Sequence, residues 1–280
     1  MKTIAALLTV HNRKERTMEC LNRLFLQDFP DGISMEVYLT DDGCTDGTVE
    51  AVKSQFPLVN IITGDGNLYW NRGMFKAWDT ASKKKDYDYY LWLNDDTNLY
   101  DGAVYKLIAC AEKYDGKAIV VGATVDTKSH SVVTYGGRID RHVVEPQGVE
   151  AEVDYFNGNI VLVPRNVFGK LGNLDWYFTH SKGDFDYGMR AQSKGIKIYQ
   201  VGEALGECDA HDRLDKWCDP EIPFVKRWKA MWQPNGMPPH ETFHLERRHQ
   251  GVIVASFHYI TIIIRCCHPN IYKLWKEIKR

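Results

Sequence analysis

The sequence predicts an α/β protein built on a parallel, doubly wound sheet, and three observations predict it. In the first hundred residues, apolar runs of strand length alternate four times with helical stretches that are apolar on one face, and parallel neighbours need helical crossovers of this kind. Each apolar run stops in a cluster of polar residues, most of them holding Asp, Asn or Gly. The 280 residues, 44% hydrophobic and 26% charged, supply a core for one large domain or one domain plus an appendage.

The run from Thr3 to Val10 reads as a first strand. It resembles a signal peptide only superficially, because it is short, carries one Lys and runs into His11-Asn12-Arg13-Lys14 with no small-residue cleavage site. A helix with Met18, Leu21, Leu24 and Phe25 on one face follows. The second strand, Met35 to Leu39, ends in Thr40-Asp41-Asp42-Gly43-Cys44-Thr45-Asp46-Gly47-Thr48, before a helix through Val49, Val52 and Phe56. Leu58 to Ile62 is the third strand, running into a polar loop from Gly64 to Gly73, and the next helix carries Met74, Ala77 and Trp78. A fourth strand, Tyr87 to Leu93, delivers Asn94-Asp95-Asp96-Thr97.

Beyond a helix from Gly102 to Tyr114 the pattern changes to strand-like pieces at Ala118 to Val125, Ser131 to Gly136 and Ile160 to Val163. Asn157-Gly158 precedes the last of these, in a turn or close-approach position. Pro164 and Arg165 open a short helix, and Leu174 to Phe178 lead to a further helix that starts at Gly183-Asp184-Phe185-Asp186 and ends at Gly195. Five prolines fall between Asp219 and Pro239. The expected division is therefore a main domain over residues 1–218 and a helical segment, a candidate for lying at a membrane interface, over 219–280.

Chemistry concentrates where Leu91-Trp92-Leu93 meets Asn94-Asp95-Asp96. Aspartates resist burial, so an apolar strand that ends in two of them exposes both at the carboxyl edge of a sheet, where ligands of such folds gather. Oxygen ligands in that position suit Mg²⁺ or Mn²⁺. The same residues are also turn and helix-capping chemistry, and the convergence of four polar clusters on one crevice favours the metal. A formal net charge of −2 excludes a global basic field for nucleic acid. Seven cysteines, with no C-x-x-C pair and with Cys266 and Cys267 adjacent, fit neither a disulfide framework nor a zinc ribbon and point to a reducing cytosol. Eight Trp and fifteen Tyr provide stacking surface of the kind that binds bases or sugars.

Four ordered motifs carry a resemblance. They are Leu8-Thr9-Val10-His11-Asn12-Arg13, Asp41-Asp42-Gly43-Cys44-Thr45-Asp46-Gly47-Thr48, Asn94-Asp95-Asp96 and the helix from Asp184 to Arg190. Their order and spacing resemble a family 2 glycosyltransferase of the GT-A type across roughly residues 3–215. Gly66-Asn67-Leu68-Tyr69-Trp70 and Gly183 to Arg190 are most similar to bacterial rhamnosyl- and galactofuranosyltransferases of surface polysaccharide synthesis. The resemblance implies a Rossmann-like nucleotide-binding sheet, a mixed acceptor-side sheet and a C-terminal helical appendage.

It also implies roles. Thr9 borders the nucleotide, Asp41 accepts a hydrogen bond from the imide N–H of uracil or thymine, and Asn67 and Arg72 stand on the donor side, Arg72 near the diphosphate. Asn94 replaces the first Asp of the family's D-x-D element, so Asp96 is the firmest metal ligand, Asp95 acts beside it and Asn94 hydrogen-bonds ribose or donor sugar. His211 occupies the position of a metal-binding His. An inverting transfer needs a base to take the acceptor proton. Asp184 and Asp186 lie about 200° apart on a helix, so only one faces the crevice, and the family pattern selects Asp184, at a helix N-terminus that keeps it ionised. Asp186 then pairs with Arg190, while Trp176, Tyr177 and His180 are expected as an acceptor wall, core packing being the alternative.

The last 36 residues hold seven Lys/Arg against two Glu. Within them, Val252 to Ile264 is thirteen residues, short of the ~20 a spanning helix needs. Arg247 and Arg248 precede it, and Arg265, Lys273, Trp275, Lys276, Lys279 and Arg280 follow. That pattern fits a segment lying in the interface of an anionic membrane, an ordinary packed helix being the alternative. A cytoplasmic enzyme, peripheral on the inner face of the cell membrane and acting on a lipid-linked saccharide with a nucleotide-sugar donor, is the resulting expectation. A sugar-nucleotide nucleotidyltransferase uses a similar sheet and metal, but it grips a triphosphate with a Gly-rich loop after strand one, and Thr9 to Lys14 contain no Gly. A catalytically inactive sugar-binding module would not need the intact acidic set.

Overall fold

A computed structural model describes residues 2–29, 32–210 and 215–270. His211, and the cationic tail with Lys273, Trp275, Lys276, Lys279 and Arg280, lie outside the described residues. The chain divides into two compact units, Met1–Trp176 with Gly183–Ala210, and Tyr177–Lys182 with His211–Arg280.

In the first unit the expected alternation is present as β1 (Lys2–Val10), α1 (Lys14–Phe25), β2 (Ile33–Asp41), α2 (Thr48–Gln55), β3 (Asn60–Thr63), α3 (Tyr69–Lys84) and β4 (Tyr89–Leu93). These strands form a parallel sheet in the order β4-β1-β2-β3. Strand β1 reads as an unbroken apolar run because both of its faces are covered. Ile4, Ala6, Leu8 and Val10 pack with Cys20, Leu21 and Leu24 of α1 on one side. Ala5 and Leu7 pack with Met74, Ala77 and Trp78 of α3 on the other.

The chain continues through β5 (Asn98–Leu99), α4 (Ala103–Lys113), β6 (Ile119–Val125), β7 (Val133–Tyr135), β8 (Gly137–Ile139), β9 (His142–Val143), β10 (Ala151–Glu152), β11 (Tyr155–Phe156), β12 (Ile160–Pro164), α5 (Arg165–Leu171), α6 (Gly183–Ser193) and β13 (Ile198–Glu207). Here the sheet becomes mixed. Strand β12 runs antiparallel between β4 and β6, and β13 runs parallel to β6. A small second sheet has the order β11-β8-β9. Strand β13 escapes sequence reading because its register shifts at Ala204 and Gly206 break the alternation of faces.

The second unit contains α7 (Phe224–Trp232), α8 (Pro239–His249) and α9 (Val252–Cys267) around Trp217, Cys218, Met231, Ile262 and Cys266. Arg227, 7% exposed, donates from Nε to Cys266 O at 2.9 Å and so satisfies a carbonyl at the end of α9. Helix α8 spaces His240, Glu241 and His244 as a zinc peptidase would. The rings serve otherwise: His244 stacks on Tyr177 at 3.9 Å, and His240 stacks on Trp232 at 6.1 Å. Glu241 is buried and accepts the Thr179 N–H. Among the described residues, no helix is long and apolar enough to cross a membrane.

Candidate active site

The loops that leave the carboxyl ends of β1, β2, β3 and β4 are tied to one another by hydrogen bonds. Asn12 Oδ1 accepts the Thr45 N–H at 2.7 Å, and His11 Nδ1 lies 2.6 Å from Asp42 O. Asp42, 3% exposed, is the carboxylate that fixes the third loop. It accepts the N–H groups of Gly66 and Leu68 on Oδ1 and those of Leu68 and Tyr69 on Oδ2, at 2.9 to 3.1 Å. Asp41 is half-buried, and its Oδ1 accepts the Cys44 N–H at 2.8 Å in an Asx turn. Asn67 is exposed and closes a turn with Asp65. Thr9 is 8% exposed and faces α3, where a Cβ on Gly73 would fall 2.1 Å from its Oγ1.

Asp95 and Asp96 face helix α1, and Asp95, expected to be exposed at the sheet edge, is instead buried at 6% exposure because α1 covers it with Arg13 and Thr17. Arg13 Nη1 is 2.8 Å from Asp96 Oδ2 and 3.3 Å from Asp95 Oδ1, and Arg16 Nη1 is 3.9 Å from Asp96 Oδ2. Thr17 Oγ1 also donates to Asp95 at 3.4 Å. Burial pushes the Asp95 carboxyl up to about 7, with the Asp96 charge adding to the rise and Arg13 opposing it. Two carboxylates that draw a guanidinium onto themselves are a hard oxygen pair, and this donor chemistry fits a divalent cation. Among the described residues, no group of three or more His, Cys, Asp or Glu side chains is placed to hold a metal. Nothing in the sequence singles out Arg13, whose contact with Asp96 spans 83 positions.

Asn94 turns from this pair toward the third loop. Its Oδ1 accepts the Trp70 indole N–H at 2.6 Å, while its side-chain NH₂ remains a donor group. Trp70 in turn lies over Gly158, where a Cβ would fall 2.5 Å from the indole and 3.4 Å from Asp184 Cβ. The Gly158 N–H donates to Asp184 Oδ2 at 3.0 Å, and the Phe185 N–H donates to Asp184 Oδ1 at 2.9 Å. Asn94, Trp70, Gly158 and Asp184 thus form one contiguous chain of contacts. The sequence marked Gly158 as a close-approach position, whereas the role of Trp70 needed the fold.

Asp184 is half-buried at the start of α6. Burial pushes its carboxyl up to about 6 against the pull of its two backbone donors and of Arg138. Asp186 is fully buried and accepts Arg190 Nε at 2.8 Å, one turn along. Gly183 lets α6 begin against α3, since a Cβ there would fall 1.7 Å from Asn71 Oδ1. Arg72 donates from Nε to Trp176 O at 3.1 Å and lies 5.3 Å over the Trp176 ring. Trp176 is 42% exposed within the first unit. In the second unit Tyr177 is equally exposed and stacked on His244, and His180 is half-buried.

With this geometry in view, similarity to known proteins becomes informative. The model of the family described as "Glycosyl transferase family 2" matches residues 6–215. No curated protein matches the chain by sequence. Among solved structures, S. aureus TarS 1-349 in complex with UDP is similar at 15% identity and TM-score 0.56, over 88% of this chain and 70% of that one. The mannosyltransferase PcManGT from Pyrobaculum calidifontis, in complex with GDP-Man and Mn²⁺, is similar at 13% identity and TM-score 0.57, over 95% and 73%. GalNAc-T7 with UDP, GalNAc and Mn²⁺ is similar at 14% identity and TM-score 0.58, over 76% and 44%. The chain spans 42% of the length of another S. aureus TarS structure that it matches.

Proposed function

The chain belongs to glycosyl transferase family 2, and from that premise we propose that it is an inverting, metal-dependent glycosyltransferase. It moves a sugar from a UDP- or dTDP-sugar to a lipid-linked saccharide in surface polysaccharide synthesis. The observation that carries this reading is the chain of contacts from Asn94 through Trp70 and Gly158 to Asp184, which joins a carboxylate-bearing donor motif to a carboxylate poised as a base.

Asp184 takes the proton of the acceptor hydroxyl as that oxygen attacks the anomeric carbon, and the electron pair of the breaking C–O bond leaves with the nucleoside diphosphate. A carboxyl near 6 is ionised at neutral pH yet basic enough to hold the proton. Asp96 and Asp95 would hold the divalent cation, which when bound would supply Lewis-acid neutralisation of the diphosphate. Arg13 contributes positive charge beside the same carboxylates and holds both in place. Asp41 reads the pyrimidine imide, Asn67 lines the nucleotide side, Asn94 turns its NH₂ to ribose or donor sugar, and Arg72 braces Trp176 as an acceptor wall. The C-terminal segment from Val252 to Ile264 lies against the cytoplasmic membrane face.

The test is incubation with a UDP- and dTDP-sugar panel, a saccharide acceptor and Mg²⁺ or Mn²⁺, following nucleoside diphosphate release and the anomeric configuration of the product by NMR. Inverted product, lost in Asp96→Ala, is expected. Retained configuration, or pyrophosphate formed from a nucleoside triphosphate, would overturn the reading.

A further inference from the structure

Helix α7 carries a face that the fold leaves uncovered. Phe224, Val225, Trp228 and Trp232 fall within an arc of about 100° on a helix of 3.6 residues per turn, and they are exposed by 47, 63, 36 and 37%. The rings follow one another along the helix, with centroids 5.9 Å apart from Phe224 to Trp228 and 6.0 Å apart from Trp228 to Trp232. The inward face holds the helix in this orientation. Met231 is buried with Ile262 and Cys266, and Arg227 donates to the carbonyls of Ile222, Cys266 and Cys267. The anchored edge lies beside Phe224, and the aromatic arc turns away from it into solvent.

We propose that this face of α7 is a membrane contact that sits at the headgroup level of a bilayer carrying anionic phospholipid. The proposal rests on the interfacial reading of the C-terminal segment and assigns a second contact to a different helix within it. Amphipathic aromatic rings are enriched at membrane–water interfaces, and a helix with such a face and a cationic flank lies in the interface plane. Helix α7 contains Lys226, Arg227 and Lys229 and no acidic residue. Both lysines are exposed beyond the aromatic arc. Residues 219–280 hold ten Lys/Arg against five Asp/Glu, whereas residues 1–218 hold 25 against 32. An anionic surface thus attracts the part of the chain that bears α7 and repels the remainder.

Two other occupants fit less well. A saccharide stacks on flat faces, but successive rings here are turned by 46° and 67° and offer no common plane. A second copy packed antiparallel on this face about a two-fold axis would bring Lys229, which flanks the arc, to the same side as its equivalent, a like-charge juxtaposition.

The test is co-sedimentation of the full chain with vesicles of phosphatidylcholine alone and of phosphatidylcholine with phosphatidylserine. Three variants are compared, Trp228→Ser with Trp232→Ser, Lys226→Glu with Lys229→Glu, and Ile253→Ser with Phe257→Ser on α9. Wild type should partition onto the phosphatidylserine vesicles, and both α7 variants should lose roughly tenfold or more in partition coefficient with circular dichroism unchanged and, for the charge-reversal variant, melting unchanged. The charge-reversal variant alters exposed side chains only and keeps the test decisive should the double Trp variant misfold. If both α7 variants bind as wild type while the α9 variant does not, the α7 contact is overturned and the interfacial reading of the C-terminal segment stands. If wild type binds neither vesicle, both fail. A concentration-dependent dimer that the Trp variant abolishes, without vesicle binding, would assign the face to a second copy and overturn the proposal.

Discussion

Asp184 combines the two demands on a general base, because one set of contacts both orients it and tunes it. Asp184→Asn keeps an oxygen for only one of the Gly158 and Phe185 N–H groups, which bond to different carboxylate oxygens, and cannot take a proton. Turnover should fall by about 10²–10⁴-fold with nucleotide-sugar affinity nearly unchanged, as single-turnover rates and calorimetry would read. In the wild type the rate should rise with pH and level off above about 6. The stability effect has the opposite direction. The folded protein binds this proton more tightly than an unfolded chain with an ordinary Asp near 3.8, so the unfolded state holds fewer protons across that window and stability falls as pH rises from 4 to 6. The charged carboxylate then costs stability at all higher pH. The lost hydrogen bond lowers the variant's melting temperature by the same amount at every pH, so scanning calorimetry should show the difference between Asp184→Asn and wild type moving in the variant's favour as pH rises from 4 to 6.

Arg13 is the other residue with a separable prediction. Arg13→Gln leaves Asp95 and Asp96 facing each other with a weaker counter-charge, and removing one member of such a pair costs more than the pair itself contributes. Since Arg13 is partly exposed, a loss of about 1–3 kcal/mol is expected in urea unfolding with EDTA present. Mn²⁺ should recover most of it. A loss that Mn²⁺ leaves untouched would show that the two carboxylates do not bind a cation.

At the scale of elements, the site depends on close approaches that glycine permits. Gly158 lets the start of β12 pass under Trp70, and Gly73 lets α3 settle on β1 against Thr9. Gly158→Ala must displace the indole, which ends the Trp70 bond to Asn94. We expect about 1–3 kcal/mol of destabilisation together with at least a tenfold loss of turnover (1.4 kcal/mol). Gly169→Ala, where the added Cβ meets nothing within 4 Å, is the matched control. Elements whose side chains keep one rule throughout were legible in sequence: β1, β2 and β4 as apolar runs, and α1, α3 and α4 by period. Strand β13 was not, because its shifted register mixes faces. Nor were β8, β9, β10 and β11, each three residues or fewer, too short to show any period.

At the scale of the whole molecule, donor binding should stabilise the fold, since ligand held by the native state alone adds RT ln(1 + [L]/Kd). At 100 times Kd this is about 2.7 kcal/mol, or a rise in melting temperature of roughly 5–10 °C for a chain of this size. Thermal-shift measurement over UDP-, dTDP- and GDP-sugars, each with Mg²⁺, Mn²⁺ or EDTA, should single out a pyrimidine donor with metal. A response to a GDP-sugar alone would remove the role proposed for Asp41.

The sequence by itself determined the parallel half of the sheet, the position of Asp95 and Asp96 at its carboxyl edge, and the family. Those features follow from local rules, in which apolar runs need cover on both faces and aspartates need an exit from the core. Only the tertiary structure decided the partners: Arg13 on the two aspartates, Trp70 between Asn94 and Gly158, Asp42 on the third loop, and Arg72 turned to Trp176. Each of these contacts joins residues 24 to 104 positions apart, and no local pattern encodes a pairing at that distance. Which carboxylate is raised toward neutrality was likewise settled by burial, a property that a residue acquires only when the rest of the chain folds around it.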